Sequence, residues 1–453
     1  MGAAGAEDRG EGWARMGKDR TARALVAGVI AVGLVAIGAA GSADAATAAG
    51  GTVVNTATLP EIPLATFSNA LLPGAVTTDR GIKLGGIGSD LYPTGVPNEY
   101  WAVTDRGPNG QIKVAGVNRR TFPVPGFTPT IVRLRVQGST LKILRAIPIT
   151  DRHGKGVTGL SNQATHDEAP FDYLAQNPLA YNPEGLDTEG LIRAHDGTFW
   201  LAEEYSPSLV HVAADGRVLA RYVPEGLGLT GTDYPVVEAL PAIFASRKTN
   251  RGFEGLGLLA NGDLIIDLQS PLSNPTAAVG NASLITRLLR FSTRTKQVTA
   301  EYAYKFDPVS TVDPSEDEQS EMKSSALIGY GAHQVLIEER TDKAARLYLA
   351  DLTSATNILG TRWDLSATSP SLEAGATGVT VPSKTLVVDF GATAGVPAKI
   401  EGIALIDRRT VAIANDNDFG MTDGTGAFDA NGQLVDSGIR SQLLYVRLPA
   451  PIH

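Results

Sequence analysis

NPEGLDTEGLIRAHDGTFWLAEEYSP, residues 182–207, reads as a single β-hairpin. It carries Glu-Gly-Leu at 184–186 and again at 189–191, then reaches a turn at Asp196-Gly197. The apolar run 198–202 follows and ends on two adjacent carboxylates, Glu203 and Glu204, with Tyr205 next. An Asp-Gly pair between apolar runs is among the strongest local signals for a hairpin. Each strand of the pair places acids near one end, and the same layout returns along the chain.

Four other stretches repeat it. Residues 82–91 and 99–104 lead to Asp105-Arg106-Gly107, followed by strand patterns at 130–136 and 141–149. Residues 254–258 and 264–267 flank an Asn261-Gly262 turn, with outer strands at 286–291 and 297–304. Residues 325–328 precede 334–340, which ends on Glu338, Glu339 and Arg340, with a third strand at 345–349. The last unit pairs 400–405 with 410–414, runs into Asn415-Asp416-Asn417-Asp418, and closes on 442–447. The intervals agree: 14 residues from Glu189 to Glu203, 13 from Glu254 to Asp267, 14 from Glu401 to Asn415 and 15 from Asp90 to Asp105. The fourth unit has Ser325 in place of the opening acid, 13 residues before Glu338.

Short antiparallel strands in units of four, with acids at equivalent strand ends, are the sequence form of an all-β propeller. No such unit buries both its faces alone, so the units stack round an axis and bring equivalent ends together. Five units are legible and a sixth has room in 355–399, so six blades are expected, with five to seven compatible. The final strand at 442–447 lacks a fourth partner. The first, at 51–59, supplies it and closes the ring, which removes an exposed edge. Residues 151–181 interrupt the spacing and read as a lid-like insertion. Residues 237–246 carry the one modest helical pattern, between blades. We expect 51–453 to form one domain.

Bulk composition narrows the function. The chain has 453 residues, is 43% hydrophobic, and carries a net charge of −9, which disfavours nucleic acid as a partner. It has no cysteine, which excludes thiol nucleophiles, thiolate metal sites and disulfides. Residues 1–46 read as a signal peptide and processing region: Lys18, Arg20 and Arg23 precede a small, apolar run at 24–40, and Ala43-Asp44-Ala45 has a small-x-small cleavage form. The protein is therefore expected outside the cell, as a monomer with no membrane span after cleavage; an uncleaved segment would leave an N-terminal anchor.

Taken in order, GLDTEGL…DGTFWLAEEYSP, NRGFEGLGLLANGDL (250–264), VLIEER (335–340) and KIEGIAL…NDNDFG (399–420) resemble the phytase-like family characterised by esterase-like activity. WAVTDRGPNG (101–110) fits its first blade. The resemblance implies a bacterial, exported β-propeller that hydrolyses ester or phosphoester bonds.

The chemistry has its own argument. Acids gathered at one mouth of a ring cannot all stay ionised without cations, because each raises its neighbours' pKa. Carboxylates favour a hard ion, Ca²⁺ above all, which takes about 6–8 oxygen ligands. We assign Asp187, Glu203, Glu254, Glu339, Glu401 and Asp416 as metal ligands and Glu204, Glu189 and Asp105 as catalytic groups. Arg106, Arg251, Arg340 and Tyr205 are assigned to the substrate, a small ester or phosphoester. Repeated Glu-Gly also has an architectural reading, with glycine permitting close strand approach and glutamate pairing with arginine. Asn415 to Asp418 alternates like a calcium loop but lacks an EF-hand's later ligands. Trp101 and Trp200 read as core, His166 as a loop residue, and Asn281-Ala282-Ser283 as a glycosylation match of low specificity. No G-x-S-x-G elbow appears, so water attack is favoured over a serine nucleophile. Two rivals remain: a calcium-dependent lactonase-like enzyme, and a non-catalytic propeller binding a ligand or partner at the cell surface.

Overall fold

In the computed structural model the 182–207 hairpin forms as read. Strand Thr188–Arg193 pairs antiparallel with Phe199–Glu203 across a turn in which Gly197 takes φ +83°. Every residue of the two strands except Arg193 is buried. Both faces are covered because this hairpin lies between two other sheets. The structure describes residues 49–453 apart from residue 367, so the signal-peptide reading of 1–46 lies outside the described residues.

Twenty of the strands fall into five sets of four, and Gly110–Val114, Val117–Thr121 and Pro170–Phe171 form a small separate sheet. The first holds Asp90–Pro93, Glu99–Val103, Thr130–Gln137 and Thr140–Pro148. The second adds Ser208–Val212 and Val218–Pro224 to the opening hairpin, with Val236–Leu240 parallel at its outer edge. The third is Phe253–Leu258, Asp263–Leu268, Ile285–Ser292 and Gln297–Lys305. Lys323–Tyr330, Gln334–Arg340, Ala345–Asp351 and Ser383–Asp389 make the fourth. The fifth takes Ile400–Asp407, Thr410–Asn415 and Gln442–Arg447 and is completed by Thr52–Thr58 from the other end of the chain, with Thr52 opposite Arg447.

The innermost strand of each set touches that of the next, and the fifth touches the first. Five apolar cores fill the gaps. Trp101 and Phe199 meet between the first and second sets, Trp200 and Phe291 between the second and third, and Leu288 and Ile337 between the third and fourth. Leu347 and Ile413 meet between the fourth and fifth, and Leu134 and Ala412 between the fifth and first. This is a β-propeller, closed by the pairing of its terminal strands.

Three expectations need correcting. The described residues of 355–399 form no sixth unit: their one strand is the outer strand Ser383–Asp389, in a stretch broken by Pro370, Pro382 and Pro397. The helical pattern at 237–246 is a strand end and a 3₁₀ turn, Ala242–Ser246, divided by Pro241. The first innermost strand is only Asp90–Pro93, since the preceding glycines make a close crossing. A Cβ on Gly88 would sit 2.1 Å from the Asn415 carbonyl oxygen.

Candidate active site

The glutamates of the Glu-Gly repeats owe their direction to β-bulges. In the second set Ala202 pairs with Gly190 and Glu203 with Thr188, which leaves Glu189 as an extra residue. The same irregularity falls on Glu254-Gly255 in the third set, Ser325-Ala326 in the fourth and Glu401 in the fifth. A bulge breaks the two-residue alternation and re-aims a side chain, here toward the axis. The glycine that follows serves packing. A Cβ on Gly190 would meet the Glu254 carbonyl oxygen at 2.5 Å, and one on Gly255 would meet that of Ser325 at 2.4 Å. Glu-Gly therefore has two functions, one per residue.

A second ring of side chains comes from the ends of the second strands. Glu204, Gln269, Arg340 and Asp416 each stand fifteen residues after the bulge residue of their own set, and Asp105 stands fifteen after Asp90. All five line one polar cavity of about 300 Å³ at the mouth of the axis. Glu189, Glu254, Glu401, Arg106 and Arg251 line it too. Nine of the thirteen expected site residues thus share one cavity.

Asp187 lies just beneath, fully buried. Its Oδ1 accepts the Arg106 backbone N–H at 3.0 Å, and its Oδ2 is 2.5 Å from Arg106 Nη2. The same Nη2 donates to Glu204 Oε2 at 3.0 Å. One oxygen each of Asp187, Glu189 and Glu204 lies within 4.8 Å of the others.

Three expected residues face elsewhere. Glu203, one residue before Glu204, points to the opposite side of its strand. Its Oε2 accepts from Arg221 Nη2 at 2.5 Å and from the Ser208 hydroxyl at 2.8 Å, and its Oε1 from the backbone N–H groups of Asp187 and Tyr205. Glu339 is likewise turned outward, against the Tyr304 hydroxyl at 2.7 Å and Lys384. Both are structural pairs rather than metal ligands, because adjacent strand residues cannot both face the axis. Tyr205 donates its hydroxyl to the Gly159 carbonyl at 2.6 Å, which ties down the 151–181 insertion instead of meeting substrate. Asp267 and Glu338 brace bulges: they accept the backbone N–H groups of Gly255 at 2.6 Å and Ala326 at 3.4 Å.

The charges are crowded. Burial, then Asp416 and Asp187, hold Asp105 well above the ordinary carboxylate range. Burial, Asp187 and Glu254 do the same for Glu189, and burial with Glu204 and Glu401 for Glu254. Burial and the Asp187 carboxylate push Glu204 up to about 7. Burial also raises Glu401, against the pull of Arg340. Asp416 is the exception: burial opposes its charge, but Lys399 outweighs it and holds the carboxyl below the usual range.

Two lysines were missed by the sequence reading. Lys399 Nζ sits 2.9 Å from Asp416 and 2.5 Å from Asp418, and Lys323 Nζ is 2.5 Å from Asp342. Both line the cavity, as does Arg120. A signal was available, since Asp187, Lys323 and Lys399 each stand two residues before the bulge of their set. The Asn415 to Asp418 run is wired as a corner: Asn415 Oδ1 accepts the Gln442 N–H at 2.8 Å and Asn417 Oδ1 the Gly86 N–H at 3.0 Å.

The fold and the bulged Glu-Gly mouth define a propeller of one recognisable family. The phytase-like model, described as esterase-like activity of phytase, matches residues 82–419, and the chain belongs to that family. It is 25% identical over 307 residues to an uncharacterised secreted protein of Arthroderma benhamiae, with 56% of this chain and 58% of that one aligned. The chain therefore spans little more than half the length of that relative. Among solved structures it is similar to the PQQ-bound aldose sugar dehydrogenase of Streptomyces coelicolor, at TM-score 0.34 and 10% identity, covering 82% of this chain and 97% of that one. A Lactobacillus plantarum protein gives 0.32 and 13%, covering 80% and 88%. At such TM-scores the fold rests on the sheets themselves. Among the described residues no helix is long and apolar enough to cross a membrane.

Proposed function

We propose that this protein is an exported hydrolase of small esters or phosphoesters, working at the charged mouth of the propeller with a divalent cation, Ca²⁺ first. The observation that carries the reading is the buried trio Asp187, Glu189 and Glu204, with oxygens within 4.8 Å of one another beside Arg106. Three carboxylates against one guanidinium leave two negative charges, which a divalent ion cancels. The donors are all oxygens, as a hard cation requires. Glu254, Glu401 and Asp416 suit a metal less well, because Arg340 and Lys399 already occupy them.

A divalent ion at the trio would supply Lewis acidity to the reacting ester. The remaining work falls to the chain. Glu204, pushed up to about 7 while no ion is bound, would be held ionised by the ion, and its carboxylate is placed to take a proton from an attacking water. Arg106 keeps Nε and Nη1 without acceptors, two donors for negative charge that develops on the reacting group. Asp105 and Glu189 shape the acid wall on either side.

Bound-metal analysis of the purified protein tests the ion. A panel of phosphomonoester, phosphodiester, carboxyl ester and lactone, each with and without Ca²⁺, tests the chemistry. We expect turnover of at least one ester that Ca²⁺ stimulates and that Glu204→Gln removes without a large loss of stability. Inertness toward all four in metal-loaded protein would leave a binding propeller instead.

A further inference from the structure

The cavity is not uniformly acidic. In the fourth set the bulge position holds Ser325 where the second, third and fifth hold glutamate, and that vacancy changes the electrostatics of one sector. Arg340 reaches across it: Nε donates to the Ser325 hydroxyl at 2.6 Å, and Nη2 sits 2.5 Å from Glu401 and 3.7 Å from Glu254. The two neighbouring glutamates thus share one guanidinium, with Glu401 the nearer partner. Lys323, two residues before the bulge, and Arg251, at the start of the third set, stand in the same sector of the lining.

These two cations are under-compensated. Arg251 has no carboxylate partner among the described residues and gives one hydrogen bond, from Nη1 to the neutral Gln269 Oε1 at 3.2 Å. Lys323 is buried and pairs only with Asp342, whose side chain is 57% exposed and is shared with Arg340 at 3.4 Å. The other cations of the lining hold carboxylates of their own: Arg106 has Asp187 and Glu204, Arg120 has Glu168, and Lys399 has Asp416 and Asp418. Burial first, then Arg251 and Arg340, press Lys323 down to about 8 against the pull of Asp342. An anion between Arg251 and Lys323 would relieve that repulsion. A second negative charge on it would meet Glu254 and Glu401, so a monoanion suits the place better than a phosphomonoester dianion.

We propose that Arg251 and Lys323 form a subsite for a singly charged oxyanion, so that the ester handled by this cavity carries a carboxylate or a phosphodiester on its own tail. The tail rests on the third and fourth sets while the ester lies toward Glu189 and Glu204. A volume of about 300 Å³ limits such a molecule to a small one. The placement of the reacting end rests on the hydrolase reading, whereas the anion subsite stands or falls by binding alone.

Two measurements on the full chain separate them. Calorimetric titration with butyrate, dimethyl phosphate and inorganic phosphate reads the subsite. Initial rates with methyl butyrate and monomethyl glutarate read what it does for turnover. We expect butyrate or dimethyl phosphate to bind, the tighter one naming the source of the anion, and Arg251→Gln and Lys323→Gln each to weaken it by about tenfold. Monomethyl glutarate should exceed methyl butyrate in kcat/KM by about tenfold, a preference that Arg251→Gln removes chiefly through KM. Half-buried Arg251 carries the test alone if the buried Lys323 variant does not fold. Anion binding sensitive to Arg251 with neither ester hydrolysed would keep the subsite and remove the hydrolase. Equal turnover of both esters with no binding of either monoanion, binding unchanged in Arg251→Gln, or tighter binding of inorganic phosphate than of both monoanions would overturn the subsite.

Discussion

Glu203→Gln and Glu204→Gln are the same chemical change on neighbouring residues, and the two should have opposite consequences. Glu203 Oε2 faces Arg221, whose guanidinium has no solvent exposure and whose other acceptors are the Ser208 hydroxyl and the Gly185 carbonyl. Its Oε1 takes two backbone N–H groups. The amide leaves a buried cation without a counter-charge, a change that costs about 3–5 kcal/mol. Glu204→Gln removes one of several crowded acids while Arg106 keeps Asp187, so its cost should stay within about 1 kcal/mol. Equilibrium unfolding in urea at pH 7 compares the two directly. A Glu203→Gln loss below about 1 kcal/mol, or equal losses in both variants, would refute the assignment of one acid to the scaffold and the other to the cavity.

Other outcomes follow from the same geometry. Gly255→Ala would press a methyl against the Ser325 carbonyl, a backbone atom that cannot swing aside, and should cost at least about 1–3 kcal/mol; an unchanged melting temperature would count against the close approach of inner strands. His211 stacks on Trp200 at 4.2 Å, and burial with nearby Lys296 lowers its pKa to about 4. Its contribution is whole above the unfolded value of about 6.5 and is lost as pH falls toward 4, so His211→Gln should flatten the melting-temperature profile over that window. Because Glu204 must ionise to hold a cation, Ca²⁺ affinity should rise from pH 6 to 8 with proton release, as calorimetry in two buffers would show; an affinity independent of pH would place the ion elsewhere. Deleting residues 52–58 should expose the Gln442–Arg447 edge and give aggregation in light scattering.

The strand repeat, the closing strand and the gathering of acids at one mouth were all legible in the sequence, because each depends on period and turn chemistry. The exact member of each acid pair was legible only in part. Glu204, Arg340 and Asp416 were read as site residues, but so were Glu203 and Glu339, and the repeat intervals of 13 and 14 do not mark the cavity position, which lies at 15 and includes Gln269. A single extra residue at each bulge accounts for the shift, and bulges leave no composition signal beyond the Glu-Gly itself. Glu339 failed for the same reason of parity. Lys323 and Lys399 stand two residues before a bulge, a position whose place in the cavity lining depends on the bulge itself. The sixth unit was inferred from length alone, and 355–399 spends that length on proline-broken loops.

The last sheet has a bearing on how the chain matures. Thr52 finds Arg447 only after the four intervening sheets have been made, and the strand's earlier partner is a single parallel pair, Thr58 with Thr140. Until then the four earlier sheets can stack as an open arc, with an unlatched seam where the C-terminal hairpin waits for its neighbour. Contacts so remote in sequence are slow to form, so the final latch should set the pace at which newly made molecules become resistant to proteases.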